Sequence, residues 1–219
     1  MVSDPVVAGI DVGGNRKGCH LVVLQGKRVL LTDKGSPEHV AESAIASGAR
    51  MVGIDAPCRW GLPGFGRAAE KQLAKERIFC FSTPTREKAL SSTSGFYGWM
   101  LNGERVYQKL TVTHPLLETL NFSLGTSCFE TFPHAITCAL LGTDQASAKL
   151  KRTQRRQLLE EIGIDTHLLK SIDALDAALC ALTAQYLILG CCKTFGDAPS
   201  GLIVIPTPRT GNHGDEFDK

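Results

Sequence analysis

Residues 6–18 are Val6-Val7-Ala8-Gly9-Ile10-Asp11-Val12-Gly13-Gly14-Asn15-Arg16-Lys17-Gly18, an apolar run that ends at an acid and enters a glycine-rich turn. A carboxylate at the end of a buried strand is costly to remove from water, and it needs a cation or several hydrogen-bond donors nearby. Asp11 is therefore a candidate metal ligand. The alternative is that Asp11 caps the turn with its own side chain.

The same pattern of an apolar strand followed by an acid recurs along the chain. Met51-Val52-Gly53-Ile54-Asp55 repeats it, and Ser127-Cys128-Phe129-Glu130 gives a third strand with an acid. Asp173 and Asp176 begin a long apolar helix and lie on neighbouring positions of one turn. An unpaired charge inside such a helix is unfavourable, and a divalent cation would remove the penalty. The candidate metal ligands and catalytic residues are Asp11, Asp55, Glu130, Asp173 and Asp176.

The order of the predicted elements indicates how these acids meet. Short strands separated by glycine turns predict an antiparallel meander. Ser36-Pro37 then opens a helix, with Ser36 as its N-cap, and the strand at 51–55 completes a crossover that places it parallel to the first strand. Asp11 and Asp55 are thus expected side by side at the carboxyl edge of the sheet, where sites form in such folds. The meander strands are predicted at 6–11, 19–24 and 28–32, and a short closing strand at 202–205.

Composition fits one soluble domain. The chain has 219 residues, of which 43% are hydrophobic, and we expect a single domain over 1–210 with an insertion at about 59–123 that forms a cleft wall. The polar tail at 211–219 is expected to be disordered. The eight cysteines include no CxxC pair and are expected to be reduced core residues. No apolar run reaches the roughly 20 residues of a membrane span and no signal-like segment begins the chain, so the prediction is a cytoplasmic protein without membrane association.

The basic residues are candidates for binding a phosphate-containing substrate. The net charge is only +2, so any affinity for nucleic acid must come from a local patch. The alternative is that these side chains form solvated helix faces, because glutamates are interleaved with those of the insertion. The candidate substrate-binding residues are Arg16, Lys17, Arg77, Lys151 and Arg155.

The motifs together resemble a known family. Residues 9–18, Gly53-Ile54-Asp55-Ala56-Pro57, Phe129-Glu130-Thr131-Phe132-Pro133 and Asp173-Ala174-Leu175-Asp176-Ala177 are similar to the domain-of-unknown-function family number 429, whose members are predicted nucleases of RNase H-like fold. The resemblance implies an α/β fold with a mixed five-stranded sheet, an antiparallel meander plus parallel strands, flanked by helices and carrying a helical insertion. In that superfamily, acids of the first strand, the neighbouring strand and the last helix hold one or two Mg²⁺ or Mn²⁺ ions.

The resemblance implies metal-dependent hydrolysis of phosphodiester bonds in nucleic acid. Asp11, Asp173 and Asp176 match the family most firmly, and Asp55 or Glu130 completes the set. A homodimer stays open, because resolvases of this fold often act as dimers. Two other functions also stay open. One is a non-catalytic binding module of the same fold; the other is an ATP-dependent kinase of the actin-like clan, which would need a second Asp-x-Gly meander that the sequence lacks.

Overall fold

The sheet has seven strands in the order β3-β2-β1-β4-β5-β7-β6. The structure is a computed structural model that describes residues 3–120 and 125–208. The strands are β1 (Val6–Asp11), β2 (Cys19–Gln25), β3 (Arg28–Gly35), β4 (Met51–Asp55), β5 (Ser127–Glu130), β6 (Cys192–Asp197) and β7 (Gly201–Pro206). The helices are α1 (Pro37–Ala46), α2 (Ala68–Lys75), α3 (Arg86–Ser91), α4 (Gly98–Leu110), α5 (Pro133–Leu141), α6 (Lys151–Glu161) and α7 (Ile172–Ile188).

The strand directions confirm the predicted fold class. Strands β1, β2 and β3 form the antiparallel meander, and β4 and β5 run parallel to β1. This is the RNase H-like arrangement that the sequence predicts. The predicted number of five strands is wrong, because a terminal hairpin of β6 and β7 extends the sheet beyond β5. The closing strand was expected, but β6 was not. It is a half-exposed edge strand containing a lysine and a glycine, so it lacks an apolar run.

Helix α7 lies directly against the centre of the sheet. Gly9 of β1 and Gly53 of β4 are neighbours in register, and both face this helix. A Cβ atom at Gly9 would collide with the backbone of Ala177 and Ala181, and one at Gly53 would lie 2.5 Å from the Cys180 carbonyl oxygen. Only glycine therefore permits this backbone contact. Helix α7 is buried on almost every side. Its apolar residues therefore surround most of the helix and are not confined to one face.

The opposite face of the sheet is covered by α1 and α4. Ser36 caps α1 as predicted, with its hydroxyl oxygen accepting from the His39 backbone N–H at 3.2 Å. Val106 and Leu110 of α4 are buried in the same core as Val40 and Ala44 of α1. The insertion thus has two buried parts: α4 belongs to this core, and α2 packs through Ala69 and Leu73 against β6 and β7. None of the helices in the described residues is long and apolar enough to cross a membrane.

The contact between α7 and the sheet predicts a large effect of Gly9→Ala. The added methyl group must displace helix backbone, and overpacking of this kind typically costs about 1–3 kcal/mol or more. For a domain of this size, each kcal/mol lowers Tm by about 2–4 °C. Gly98→Ala is the control, because a Cβ atom there meets nothing within 4 Å. Thermal melting of both variants checks this, and equal Tm values would contradict the close packing.

Candidate functional site

A cavity of about 340 Å³ opens at the carboxyl ends of β1 and β4. Residues from the first turn, the strand ends, the insertion and the start of α7 line it. All five candidate acids contribute to this lining, although they lie far apart in sequence. They are Asp11, Asp55, Glu130, Asp173 and Asp176.

Asp11 and Asp55 form the centre of the site. They are register partners at the ends of two parallel strands. Strand alternation places them on the face that bears Gly9 and Gly53, under the start of α7. Removal from water raises the pKa of Asp11 well above its usual range, and the charges of Asp55 and Asp176 raise it further. Burial, followed by the charge of Asp176, raises the pKa of Asp55 to about 8. Lys17 lowers the pKa of Asp11 and Arg155 lowers that of Asp55, but the net shift of each stays upward.

The N-terminal turn of α7 supplies the next two acids. The Ser171 hydroxyl accepts from the Ala174 backbone N–H at 3.0 Å and fixes this turn. Asp173 remains partly exposed and lies 3.5 Å from the Lys17 Nζ. Asp176 is buried and accepts a hydrogen bond from Arg155 Nη1. Burial is the largest influence on the Asp176 pKa and raises it, while Arg155 opposes the rise.

Arg155, which the sequence predicts to contact substrate, lies on α6 beside Asp176. It is buried and is the counter-charge of Asp176. The sequence left the charge of Asp176 without a partner, because nothing in the local pattern links two residues on different helices. Within the described part of the chain, the Arg155 Nε has no hydrogen-bond partner.

Glu130 lies at the wall of the cavity and accepts three hydrogen bonds. It pairs in register with Ile54, one residue before Asp55, so alternation turns its side chain to the opposite face of the sheet. Arg67 donates to its two carboxylate oxygens at 2.8 and 2.5 Å, and the Cys58 backbone N–H donates at 2.8 Å. Both carboxylate oxygens of Glu130, a predicted metal ligand, thus accept hydrogen bonds from the protein. Phe129 and Thr131, on either side of Glu130, are expected on the same face of the sheet as Asp55. The Thr131 hydroxyl donates to the Val204 carbonyl oxygen at 2.7 Å.

Arg67 is a buried residue of the site that the sequence pattern did not single out. It directly precedes the charged helix α2, yet it is only 1% exposed. Besides Glu130, its Nε donates to the Ser200 carbonyl oxygen at 2.8 Å, which ties the insertion to the turn between β6 and β7. The one available signal was that a buried glutamate requires a cation.

The remaining predicted basic residues separate into two groups. Lys17 and Lys151 line the cavity and are exposed to solvent. Arg16 is exposed in the first turn but does not line the cavity, and Arg77 pairs with Asp144 at the protein surface. The turn itself is held by Asn102 of α4, whose side-chain amide donates to the Gly13 carbonyl oxygen at 2.9 Å. Sequence patterns gave no sign of this contact.

The family assignment follows from a comparison with family models. Residues 9–200 match the family described as "Protein of unknown function (DUF429)". The chain belongs to this family. Among solved structures, one similar chain is the RuvC structure of Thermus thermophilus, with a TM-score of 0.38 and 19% sequence identity over 84% of this chain and 96% of that one. No curated protein matches the sequence.

The donor set of this DUF429 protein suits a hard cation in part. In residues 3–120 and 125–208, no three acidic, histidine or cysteine side chains are gathered closely enough to hold a metal ion as they stand. Asp11 and Asp55 nevertheless offer paired carboxylate oxygens, the ligands that Mg²⁺ and Mn²⁺ prefer. Asp173 lines the same cavity, and its charge raises the pKa of Asp11.

The raised pKa of Asp55 predicts how stability depends on pH in the absence of metal. The native protein keeps a proton that the unfolded chain releases near pH 3.8, so the free energy of unfolding falls between about pH 4 and pH 8 through this group. Asp55→Asn removes this contribution. At pH 8 the variant should exceed the parent by more than about 1 kcal/mol, since each pKa unit corresponds to about 1.4 kcal/mol.

Urea unfolding at pH 5 and pH 8 in the presence of EDTA measures this difference. Asp144→Asn is the matched control, because Asp144 is an exposed aspartate paired only at the surface. The control should keep the pH dependence of the parent. If Asp55→Asn also keeps it, the Asp55 carboxyl is already ionised in the folded protein.

The buried pair of Arg67 and Glu130 predicts a second stability difference. Arg67→Ala leaves a carboxylate buried without its cation, which typically costs about 3–5 kcal/mol. Arg77→Ala breaks an exposed ion pair and should cost no more than about 1 kcal/mol. Chemical denaturation compares the two variants. Similar losses for both would mean that the Arg67 pair contributes no more than a surface contact.

Proposed function

We propose that this protein is a nuclease that hydrolyses phosphodiester bonds of nucleic acid with Mg²⁺ or Mn²⁺. One observation carries the proposal: Asp11 and Asp55 meet at adjacent parallel strand ends, in a cavity that also receives acids from the start of α7. Such crowding of carboxylates is unfavourable for a purely structural site. It is the arrangement expected where a divalent cation is bound.

Asp11, Asp55 and Asp173 would hold the metal. When bound, the metal supplies a water of lowered pKa and stabilises the oxygen that leaves the phosphorus. Asp176 stays paired with Arg155 in this proposal and does not bind the metal directly. Glu130 is left out of the ligand set because Arg67 and Cys58 occupy its oxygens. Its part is to fix the end of β5 beside β4.

The chain's own residues also provide a place for the substrate phosphates. Lys17 and Lys151 are the two lysines of the cavity lining, and both are exposed to solvent. Lys17 follows the glycine turn, whereas Lys151 opens α6. A phosphodiester bound between them would lie above the Asp11 and Asp55 carboxylates. A cytoplasmic location is also part of the proposal.

The proposal predicts that Asp11→Asn abolishes metal binding and cleavage while the fold is kept. Asparagine preserves volume and one oxygen but removes the charge that attracts a hard cation. Loss of residues that merely orient metal ligands costs about 10–100-fold, so loss of a ligand should lower cleavage by at least about 100-fold. Without metal, the variant should be at least as stable as the parent, because one of the crowded acids is gone.

Melting curves measure the binding half of this prediction. At a Mg²⁺ concentration of about 100 times Kd, binding stabilises the native protein by about 2.7 kcal/mol, which raises Tm by about 5–11 °C. The parent and the control Asp144→Asn should show this rise, and Asp11→Asn should not. Single-stranded, duplex, hybrid and branched substrates test cleavage.

Binding of ATP, measured separately, distinguishes the other functions. Metal-dependent stabilisation without ATP binding agrees with the nuclease, whereas binding of both indicates a kinase. A parent protein that shows neither metal stabilisation nor cleavage of any substrate would refute the nuclease proposal and favour a non-catalytic binding module.

A further inference from the structure

A cluster of aromatic side chains borders the acidic cavity. We call Phe81, Phe96, Tyr97 and Trp99 the aromatic rim. The ring centroids of Phe81 and Phe96 are 5.7 Å apart and nearly perpendicular, and those of Phe81 and Trp99 are 6.2 Å apart. Phe81 is 63% exposed and Phe96 is 51% exposed. Phe81 and Trp99 also line the cavity that holds Asp11 and Asp55.

The rim is a surface without a covering layer in the described residues. Large aromatic rings gain most when their faces are removed from water, and an exposed apolar group beside a polar cavity is typical of a binding surface. The rings hold one another by edge contacts, so they are positioned before anything binds. Less conformational entropy of these side chains is then lost when a ligand binds.

A buried hydroxyl provides an independent sign of a ligand. Thr83 lies two residues after Phe81, is only 4% exposed and lines the same cavity. Its backbone N–H donates to Glu70 Oε1 at 3.0 Å, which fixes its position. Its side-chain oxygen, however, has no hydrogen-bond partner among the residues described. Its lack of a partner is unusual for a buried hydroxyl, and a bound molecule would supply one.

The charges of the site indicate the chemistry of that molecule. Lys17 and Lys151 offer exposed ammonium groups in the lining of the same cavity, and Lys17 also lies 3.5 Å from Asp173. A ligand that fits must have a flat apolar ring for the rim, a polar group for Thr83 and a negative charge for the lysines. A nucleotide within a nucleic-acid strand has all three.

We propose that the aromatic rim and Thr83 bind an unpaired base of single-stranded nucleic acid and place the adjoining phosphate at the Asp11 and Asp55 carboxylates. The proposal deepens the proposed function and rests on it for the position of the cleaved bond. Bases in a duplex cover one another's faces, so only an unstacked base can lie on the aromatic rings. The cavity volume of about 340 Å³ also lies near the lower end of the range for small-ligand sites.

Fluorescence anisotropy of labelled oligonucleotides tests this proposal. The Asp11→Asn protein is used, so that cleavage does not interfere, and a 12-nucleotide single strand is compared with the blunt duplex of the same sequence at about 50 mM salt, where phosphate contacts are strong. We expect the single strand to bind at least 10-fold more tightly than the duplex. In the same protein, Phe81→Ala combined with Phe96→Ala should weaken single-strand binding about 10-fold or more, because stacked bases contribute strongly and without sequence preference.

Phe79→Ala is the matched control. Phe79 is 71% exposed and lies two residues from Phe81, but it does not line the cavity. This variant should bind like the Asp11→Asn protein alone. Thr83→Val keeps the side-chain shape without the hydroxyl and should weaken binding less than loss of the rings does. The single strand should also quench tryptophan fluorescence. Loss of this quenching in the Trp99→Leu variant would place the base at the rim.

Three results would overturn the proposal. The first is equal affinity for single strand and duplex, and the second is unchanged affinity after loss of Phe81 and Phe96. The third is a protein dimer, seen by light scattering, that separates in the double variant while nucleic-acid binding is kept, because the rim would then be a protein interface. Absence of cleavage by the parent with Mg²⁺, together with the expected single-strand preference, would refute only the proposed catalysis and leave the binding surface supported.

Discussion

The contact between α7 and two glycines is the constraint on which the site depends. Gly9 and Gly53 remove two side chains from the centre of the sheet, and the backbone of α7 fills the space. This close approach sets how far the first turn of α7 lies from the strand ends. Asp173 and Asp176 can therefore reach the cavity formed by the strand acids. A larger residue at either glycine would move the helix and open the acidic cluster.

Two buried arginines determine which acids remain available. Arg155 neutralises Asp176, and Arg67 holds both oxygens of Glu130. Guanidinium groups suit these places because they stay charged when buried and match a carboxylate with two donors. Among the described residues, Asp11 and Asp55 have no such arginine of their own. Burial raises the pKa of both, followed by the charge of Asp55 for Asp11 and by the charge of Asp176 for Asp55. The unpaired acids, rather than the total number of acids, therefore define the candidate site.

The sequence predicted features that depend on local pattern. Apolar strands, glycine turns and the Ser36 cap gave the meander, the crossover and the adjacent positions of Asp11 and Asp55. It failed where a residue's role depends on a distant partner. Arg67 and Arg155 appear basic and exposed in the linear pattern, but each is buried against an acid more than 20 positions away. Glu130 pairs with Ile54 and not with Asp55, so its side chain lies on the other face of the sheet. The sequence of one strand does not show how it pairs with the next.

The hydrogen bond from the Asn102 side chain to the Gly13 carbonyl oxygen connects α4 to the glycine turn after β1. Trp99 and Asn102 are three positions apart on α4, so they project from neighbouring places on one side of the helix. One turn of α4 thus carries the Trp99 ring of the aromatic rim, and the next turn carries Asn102, which is hydrogen-bonded to the loop that bears Lys17. No loop separates Trp99 from Asn102, so a displacement of the Trp99 ring would also displace the loop. Recognition of a base and placement of a phosphate would then be a single motion of one helix.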